Sequence, residues 1–473
     1  MNIHLLAPEI SLCALAVVVI LLDLFVGRKW IVGAVSIAGL IVPAVFSIAL
    51  WGTNETAFGG ALVIDHFSVF FKLFFLAVAA LILLSSTDYA RRFAAFRGEY
   101  YAMLLLATTG MMLMASTREL ISIYIALELT GISLYVLAGF LKDSKSSEAG
   151  LKYLLLGAVS SAVLLYGMAL VFGLTGTTHL QEIATAISAE GLLNSPALLM
   201  GIVLLVAGFG FKIAAVPFQM WVPDVYEGAP TPVTAYLSVA SKAAGFAVIL
   251  RVFYEALGPA SVDWSMVFAV LAAITMTVGN VVAIAQKNIK RMLGYSSIAQ
   301  AGYLMIGLAA VSSTGSSALV LFLGCYALTN LGAFIAIIAI SDKIDSDEIA
   351  DYSGMIRRAP LLALALALCL ISLTGIPPTA GFMAKIYIFS AGVNSGLLWL
   401  VIIAVINSVI SAFYYLRVVR VMFLGAPVSE ERVSSPRSLQ VALSLACLGV
   451  LLLGIYPWLL LRVAETAASI FIP

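Results

Sequence analysis

Apolar runs of membrane-crossing length, repeated almost without interruption, constrain this chain more than any other feature. From Leu5 to Leu461 they follow one another with short polar breaks, each long enough as a helix to cross the roughly 30 Å hydrocarbon layer of a bilayer. No stretch between them could hold a separate soluble domain, so residues 1–473 read as one membrane domain. With 63% hydrophobic and 10% charged residues, there is too little polar surface to cover a water-soluble core.

Hydropathy and Gly/Pro punctuation place spans near 4–26, 30–51, 64–86, 99–115, 119–141, 147–174, 196–222, 230–256, 264–286, 290–311, 317–341, 358–393, 396–423 and 438–462. This is an all-α polytopic fold of about fourteen transmembrane helices. The first run lacks a basic leader and ends at Gly27-Arg28-Lys29 rather than at a small-residue cleavage site, so it is expected to stay as helix 1. Basic residues remain on the cytoplasmic side. Seventeen of the 25 Lys and Arg fall in loops after odd-numbered helices, while Arg118, Arg251 and Arg462 sit at the other ends. The odd loops are therefore expected to be cytoplasmic, with both termini outside. A net charge of +1 gives no reason to expect nucleic acid as a partner.

Five lysines remain inside the spans: Lys72, Lys152, Lys212, Lys242 and Lys385. Glu128 is the acid placed deepest, and Asp23 and Asp65 are expected near interfaces. An ionised side chain at mid-bilayer costs about 2.5–3.5 kcal/mol on insertion scales, so such residues face a wet interior, find partners and carry function. Lysine can give up its proton where guanidinium cannot, and a row of lysines suits a proton relay. Lys72 is expected to snorkel to an interface; Lys152 is a secondary relay candidate. A Glu128–Lys212 pair is expected at mid-membrane, with Lys242 central in helix 8 and Lys385 beyond a second helix break. The four cysteines, Cys13, Cys325, Cys369 and Cys447, stand singly without metal spacing and read as packing residues.

Proline interrupts the seventh span at Pro217 and the twelfth at Pro377-Pro378. Proline removes a backbone donor, which membrane helices tolerate where backbone lines a polar cavity. Broken spans in corresponding positions point to a repeat-built transporter with midplane sites. Helices 4–8 (residues 99–256) and 9–13 (262–423) lie over each other as two five-helix repeats, inverted because five is odd. Helices 1–3 (1–98) precede them and helix 14 with the C-terminus (438–473) follows. The second repeat lacks a carboxylate matching Glu128 and offers Ser296, Ser297, Gln300 and Tyr303 on helix 10 instead.

The segments "FKIAAVPFQMWVPDVYEGAPTPVTAYLSVASKAAGF", "NIKRMLGYSSIAQAGYL" and "GIPPTAGFMAKIYIF" resemble the N-type antiporter-like membrane subunits of proton-pumping NADH:quinone oxidoreductase, complex I. The resemblance spans nearly the whole chain. It implies a translocase subunit of the bacterial inner membrane, with no redox site of its own. Other membrane subunits of the complex would be its partners; NAD, FMN, iron–sulfur clusters and quinone would belong to partner subunits. It further implies Glu128 and Lys212 as a coupling ion pair, Lys242 as central relay and Lys385 as the residue exchanging protons outside. Related chains often carry histidine where this one has Gln219 and Gln300, so the steps between Lys242 and Lys385 are expected to use water and hydroxyls from Ser296, Ser297, Tyr303, Tyr326 and Thr374. The acids Asp224 and Glu227 read as solvated loop residues. A subunit of a multi-subunit cation/proton antiporter is the alternative, since the same lysines would serve it, and an assembly scaffold with structurally paired charges is a weaker third.

Overall fold

The computed structural model describes residues 2–93, 96–189 and 191–471. Eleven helices are long and apolar enough to cross a membrane: α1 (Ile3–Phe25), α2 (Trp30–Ala49), α3 (His66–Ser86), α5 (Leu120–Ala138), α6 (Ser144–Thr175), α7a (Pro196–Ile213), α8 (Thr231–Ala256), α9 (Gly258–Ile284), α11 (Ser313–Ile344), α13 (Leu398–Leu424) and α14 (Arg437–Ile455). Three further crossings are less apolar or shorter: α4 (Arg97–Ser116), α10 (Ile289–Ala309), and a broken pair, α12a (Pro360–Thr374) and α12b (Ala380–Asn394). Together they make the fourteen expected. Both α4 and α10 are buried along nearly their whole length, which is why they can carry polar residues inside a membrane.

Helix starts follow from capping chemistry. Asp65 caps α3 by accepting from Ser68 N at 2.8 Å, and Ser68 Oγ returns the contact to Asp65 N. Asp143, Asn288 and Ser312 cap α6, α10 and α11 in the same manner. A short hairpin, Glu55–Ala57 with Leu62–Ile64, joins α2 to α3.

The neighbour pattern of α4–α8 recurs in α9–α13. Helix α4 packs on α5 and α8 as α9 packs on α10 and α13, and the third helix of each set packs on the broken fourth. Helix α8 is buried along its whole apolar window and lies between the halves, against both α4 and α11. Each break ends in the left-handed backbone region, at Ala214 (φ 61°) and Gly375 (φ 91°). In the first break Val216 N donates to Thr275 Oγ1 at 3.0 Å and Trp221 Nε1 donates to Phe211 O at 3.0 Å, so the freed backbone groups are partnered inside the protein. The chain then continues as α7b (Trp221–Gly228).

Lys72 departs from the sequence reading, and three charges expected at helix ends prove to be buried and paired. Lys72 does not snorkel; it is fully buried and meets Glu9 at 2.9 Å, tying α3 to α1. Asp65, at the start of α3, is buried and accepts from Arg251 at 2.8 Å. Arg251, assigned to a helix end, is fully buried and also binds Glu255 at 2.8 Å, while Arg118 reaches Glu255 at 2.8 Å and closes a four-residue ionic cluster. Asp23 is buried against Lys29 at 2.9 Å. In each case a buried charge found an opposite charge that hydropathy counting does not pair.

Candidate functional site

Three lysines lie along the interior, at 7%, 2% and 5% exposure for Lys212, Lys242 and Lys385. Lys212 occupies the last turn of α7a, where the unsatisfied carbonyl end of the helix favours a cation. Its Nζ donates to Tyr135 Oη at 3.4 Å, Tyr135 being on α5. Glu128, half-buried on the same helix, accepts from Ser161 Oγ on α6. Among the described residues no ion pair within 4.0 Å joins Glu128 to Lys212; the two charges share a neighbourhood containing two hydroxyls.

Lys242 follows a π-helical turn, Leu237–Ser241, which widens α8 at this point. Its Nζ donates to Ser297 O at 2.6 Å and Ser297 Oγ at 2.8 Å. That hydroxyl lies 3.5 Å from Tyr226 Oη on α7b and donates to Gly294 O. One turn along α10, Gln300 Nε2 donates to Leu373 O at 3.2 Å and lies 3.5 Å from Tyr415 Oη, and Tyr415 also meets Ser296 Oγ. Tyr303 completes the α10 row, with Asn280 Nδ2 donating to its hydroxyl at 3.3 Å.

Lys385 sits in the first turns of α12b. Its Nζ donates to Thr374 O at 2.7 Å, a carbonyl freed by the break, and to Ser408 Oγ at 2.8 Å, and it lies 4.8 Å from the Tyr303 ring centre. Gly375 is required here twice over: its φ is positive, and a Cβ would meet Lys385 Cδ at 2.8 Å. A cavity of about 10 Å³ adjoins Lys385, Gln300, Tyr326, Thr329 and Ser372, room for one water. Tyr326 Oη is buried there without a hydrogen-bond partner in the protein.

The structure thus gathers Lys242, Ser296, Ser297, Gln300, Tyr303, Tyr326 and Lys385 around α10, and sets Glu128 with Lys212 around α5. Lys152 lies apart, half exposed, bridging Glu148 and Asp224 at 2.7 Å. Asp224 and Glu227, read as solvated, instead hold Arg291 at 2.7 and 3.0 Å. Burial pushes the Asp224 carboxyl up, but hydrogen bonds from Lys152 and Arg291 outweigh it and hold it below the usual carboxylate range. Sequence reasoning missed Tyr135, Ser161, Asn280, Ser408 and Tyr415; each is a polar residue on a helix interior facing a neighbour, a signal shared by many ordinary interhelical hydrogen bonds. No group of His, Cys, Asp and Glu suited to a metal ion occurs among the described residues.

Residues 116–411 match the family profile described as NADH:quinone oxidoreductase/Mrp antiporter, transmembrane. A curated relative from Dehalococcoides mccartyi, NADH-quinone oxidoreductase subunit N, is 48% identical, covering 98% of this chain and 99% of its own. Among solved structures, a chain of respiratory complex I from Thermus thermophilus with bound aureothin superposes with a TM-score of 0.81 at 34% identity, covering 96% of this chain and 98% of that one. A chain of the Mrp complex from Dietzia sp. shares the fold, with a TM-score of 0.85 at 21% identity over 100% of this chain and 98% of that one.

Proposed function

The chain belongs to the NADH:quinone oxidoreductase/Mrp antiporter membrane family, and within it to the N-type subunits, and from that premise we propose that it carries protons across a bacterial inner membrane by a relay through Glu128, Lys212, Lys242 and Lys385. It does so as one membrane subunit of a complex whose NAD, FMN, iron–sulfur clusters and quinone are held by partner subunits. Redox energy released there drives this chain through charge.

One observation carries the reading. Where charge serves structure, this chain pairs it closely, as in Lys72–Glu9 at 2.9 Å and Arg251–Asp65 at 2.8 Å. The three interior lysines have no carboxylate within 4.0 Å among the described residues and are held by carbonyl, hydroxyl and phenol oxygens. Such a site can hold a proton as ammonium and release it without leaving an orphaned anion behind. In the proposed cycle a charge competing for Glu128 from outside the chain withdraws its field from Lys212, whose proton moves inward to Lys242. Ser297, Ser296, Tyr415 and Gln300 then order the hydroxyl and water chain towards Lys385. Gln300 orients water but holds no proton itself. The DVYEG segment and the 48% identity to a subunit N favour this over the cation/proton antiporter alternative, for which the Mrp likeness supplies the fold alone.

Lys212→Met tests the proposal in the assembled complex reconstituted into liposomes. Proton translocation per NADH oxidised is expected to fall; unchanged translocation in a fully assembled complex would remove Lys212 from the path. Purification with native partners separates the alternatives, since co-migration only with exchanger subunits refutes the redox assignment.

A further inference from the structure

We infer that protons leave Lys385 through the seam between α11 and α12b, gated by Phe322 and Ile388, into a hydroxyl-lined vestibule at the end of the molecule opposite the basic loops. The inference rests on the relay proposed above and names its exit.

Two cavities lie on the same pair of helices. The inner one is the small cavity beside Lys385, bounded by Phe322, Tyr326 and Thr329 from α11 and by Gly381 and Ala384 from α12b. The outer one, of about 510 Å³, is bounded by Ser313, Ser317 and Ala318 from α11 and by Ser390, Ala391 and Asn394 from α12b. Glu465 and Ser469 from the C-terminal helix Trp458–Ala468 and its cap complete its rim. Helical spacing makes the two cavities successive layers of one seam. Ala318, Phe322 and Tyr326 recur every four residues on α11, and Ala384, Ile388 and Ala391 stand at i, i+4 and i+7 on α12b, so each triple shares a helix face. One turn, about 5.4 Å, separates each pair of layers. The same spacing puts Phe322 and Ile388, 2% and 0% exposed, at the layer between the two cavities.

The inner cavity carries an independent sign of a ligand. Tyr326 lines that space, and its Oη is buried with no hydrogen-bond partner in the protein. A buried hydroxyl without a partner is uncommon, and a water is what such a space admits. A water between Tyr326 and Lys385 is the first step outward, and hydration past Phe322 joins it to the vestibule. Glu465, exposed at the rim, then receives the proton before bulk solvent. In the resting arrangement the apolar layer keeps the two waters apart, which prevents the relay from short-circuiting the gradient.

The test uses the whole complex in oriented vesicles, with Cys13, Cys325, Cys369 and Cys447 replaced and a membrane-impermeant cationic thiosulfonate applied from the side opposite the basic loops. Ser317→Cys is expected to label. Tyr326→Cys is expected to resist labelling, and to become reactive when combined with Phe322→Ala. In vesicles without NADH, Phe322→Ala is expected to raise passive proton leak severalfold, and Ile388→Ala carries the same expectation should the first variant fail to assemble. Ser317→Cys labelled only from the basic side, or Tyr326→Cys unreactive with leak unchanged in either gate variant, overturns the exit. Those results combined with lost pumping in Lys385→Met reject the seam alone, whereas intact pumping in Lys385→Met rejects the relay beneath it.

Discussion

Lys72 and Glu9 are the sharpest case for deciding whether a buried charge serves structure or transport. At 2.9 Å and with side-chain exposures of 0% and 4%, the pair attracts by about 6 kcal/mol at an effective dielectric of about 20. Desolvation of the two ions, several kcal/mol each, offsets most of that. The net worth of the pair is therefore small, while removal of one partner leaves an uncompensated charge and costs about 3–5 kcal/mol. Lys72→Met and Glu9→Leu should each destabilise the subunit by that amount, and the two together should recover most of it. The two single costs sum to about 6–10 kcal/mol, so a double variant that recovers most of the loss has a coupling of several kcal/mol, beyond the ~0.5–3 kcal/mol usual for contacting residues. The cycle is read from thermal unfolding midpoints of the purified complex and its yield on native gels, with proton translocation measured on the same samples. A double variant no more stable than either single one refutes the structural assignment. A stable double variant that has lost pumping refutes it from the other side, by placing the pair in the proton path.

Ser297→Ala leaves Lys242 with the Ser297 carbonyl at 2.6 Å as its nearest acceptor and removes the hydroxyl between Lys242 and Tyr226. An assembled complex with reduced proton translocation and unchanged yield is expected, and full translocation would exclude that hydroxyl from the chain. At the basic end, Asp224 has a carboxyl held below its ordinary value of 3.8. Its stabilisation is fully present above that value and lost as pH falls through the lowered folded one. Wild-type protein should keep α7b equally protected from protease across about pH 5 to 8, and Asp224→Asn should raise its cleavage by no more than about fivefold throughout. The energy at this one-third exposed site is within about 1 kcal/mol.

The helix count, the two breaks and the three interior lysines were legible because they depend on composition along the chain. Length and apolarity fix a span, proline marks a break, and a lone lysine among apolar residues stands out in any window. Pairing was illegible because it depends on which helices become neighbours. Glu9 and Lys72 are 63 residues apart, Asp65 and Arg251 are 186 apart, and nothing local in either segment announces the other. Arg251 was expected at the end of a span drawn to residue 256, where α8 does end; what stayed illegible was its burial against Asp65 and Glu255. Glu128 and Lys212 were expected as a contact pair because both lay at similar depth. The break ends α7a one residue past Lys212, which sets the ammonium beside Tyr135 rather than against the carboxylate.

The division of chemistry between the halves follows from these placements. In the first half a carboxylate and an ammonium sit close enough to feel each other and far enough apart to respond to a third charge, so this half suits an input that senses its surroundings. The second half meets Lys385 with a freed backbone carbonyl, a hydroxyl and an aromatic face. None of these changes charge at neutral pH. A proton arriving there gains no anion to rest on and can be displaced by modest forces, which suits an output. Between them stand the amide of Gln300, which holds no proton itself, and the phenol of Tyr415. On the proposed relay, transfer from Lys242 to Lys385 would therefore run through hydroxyls and water. In the exit proposed above, the apolar layer of Phe322 and Ile388, rather than any barrier of charge, then keeps the two sides of the membrane separate between turnovers.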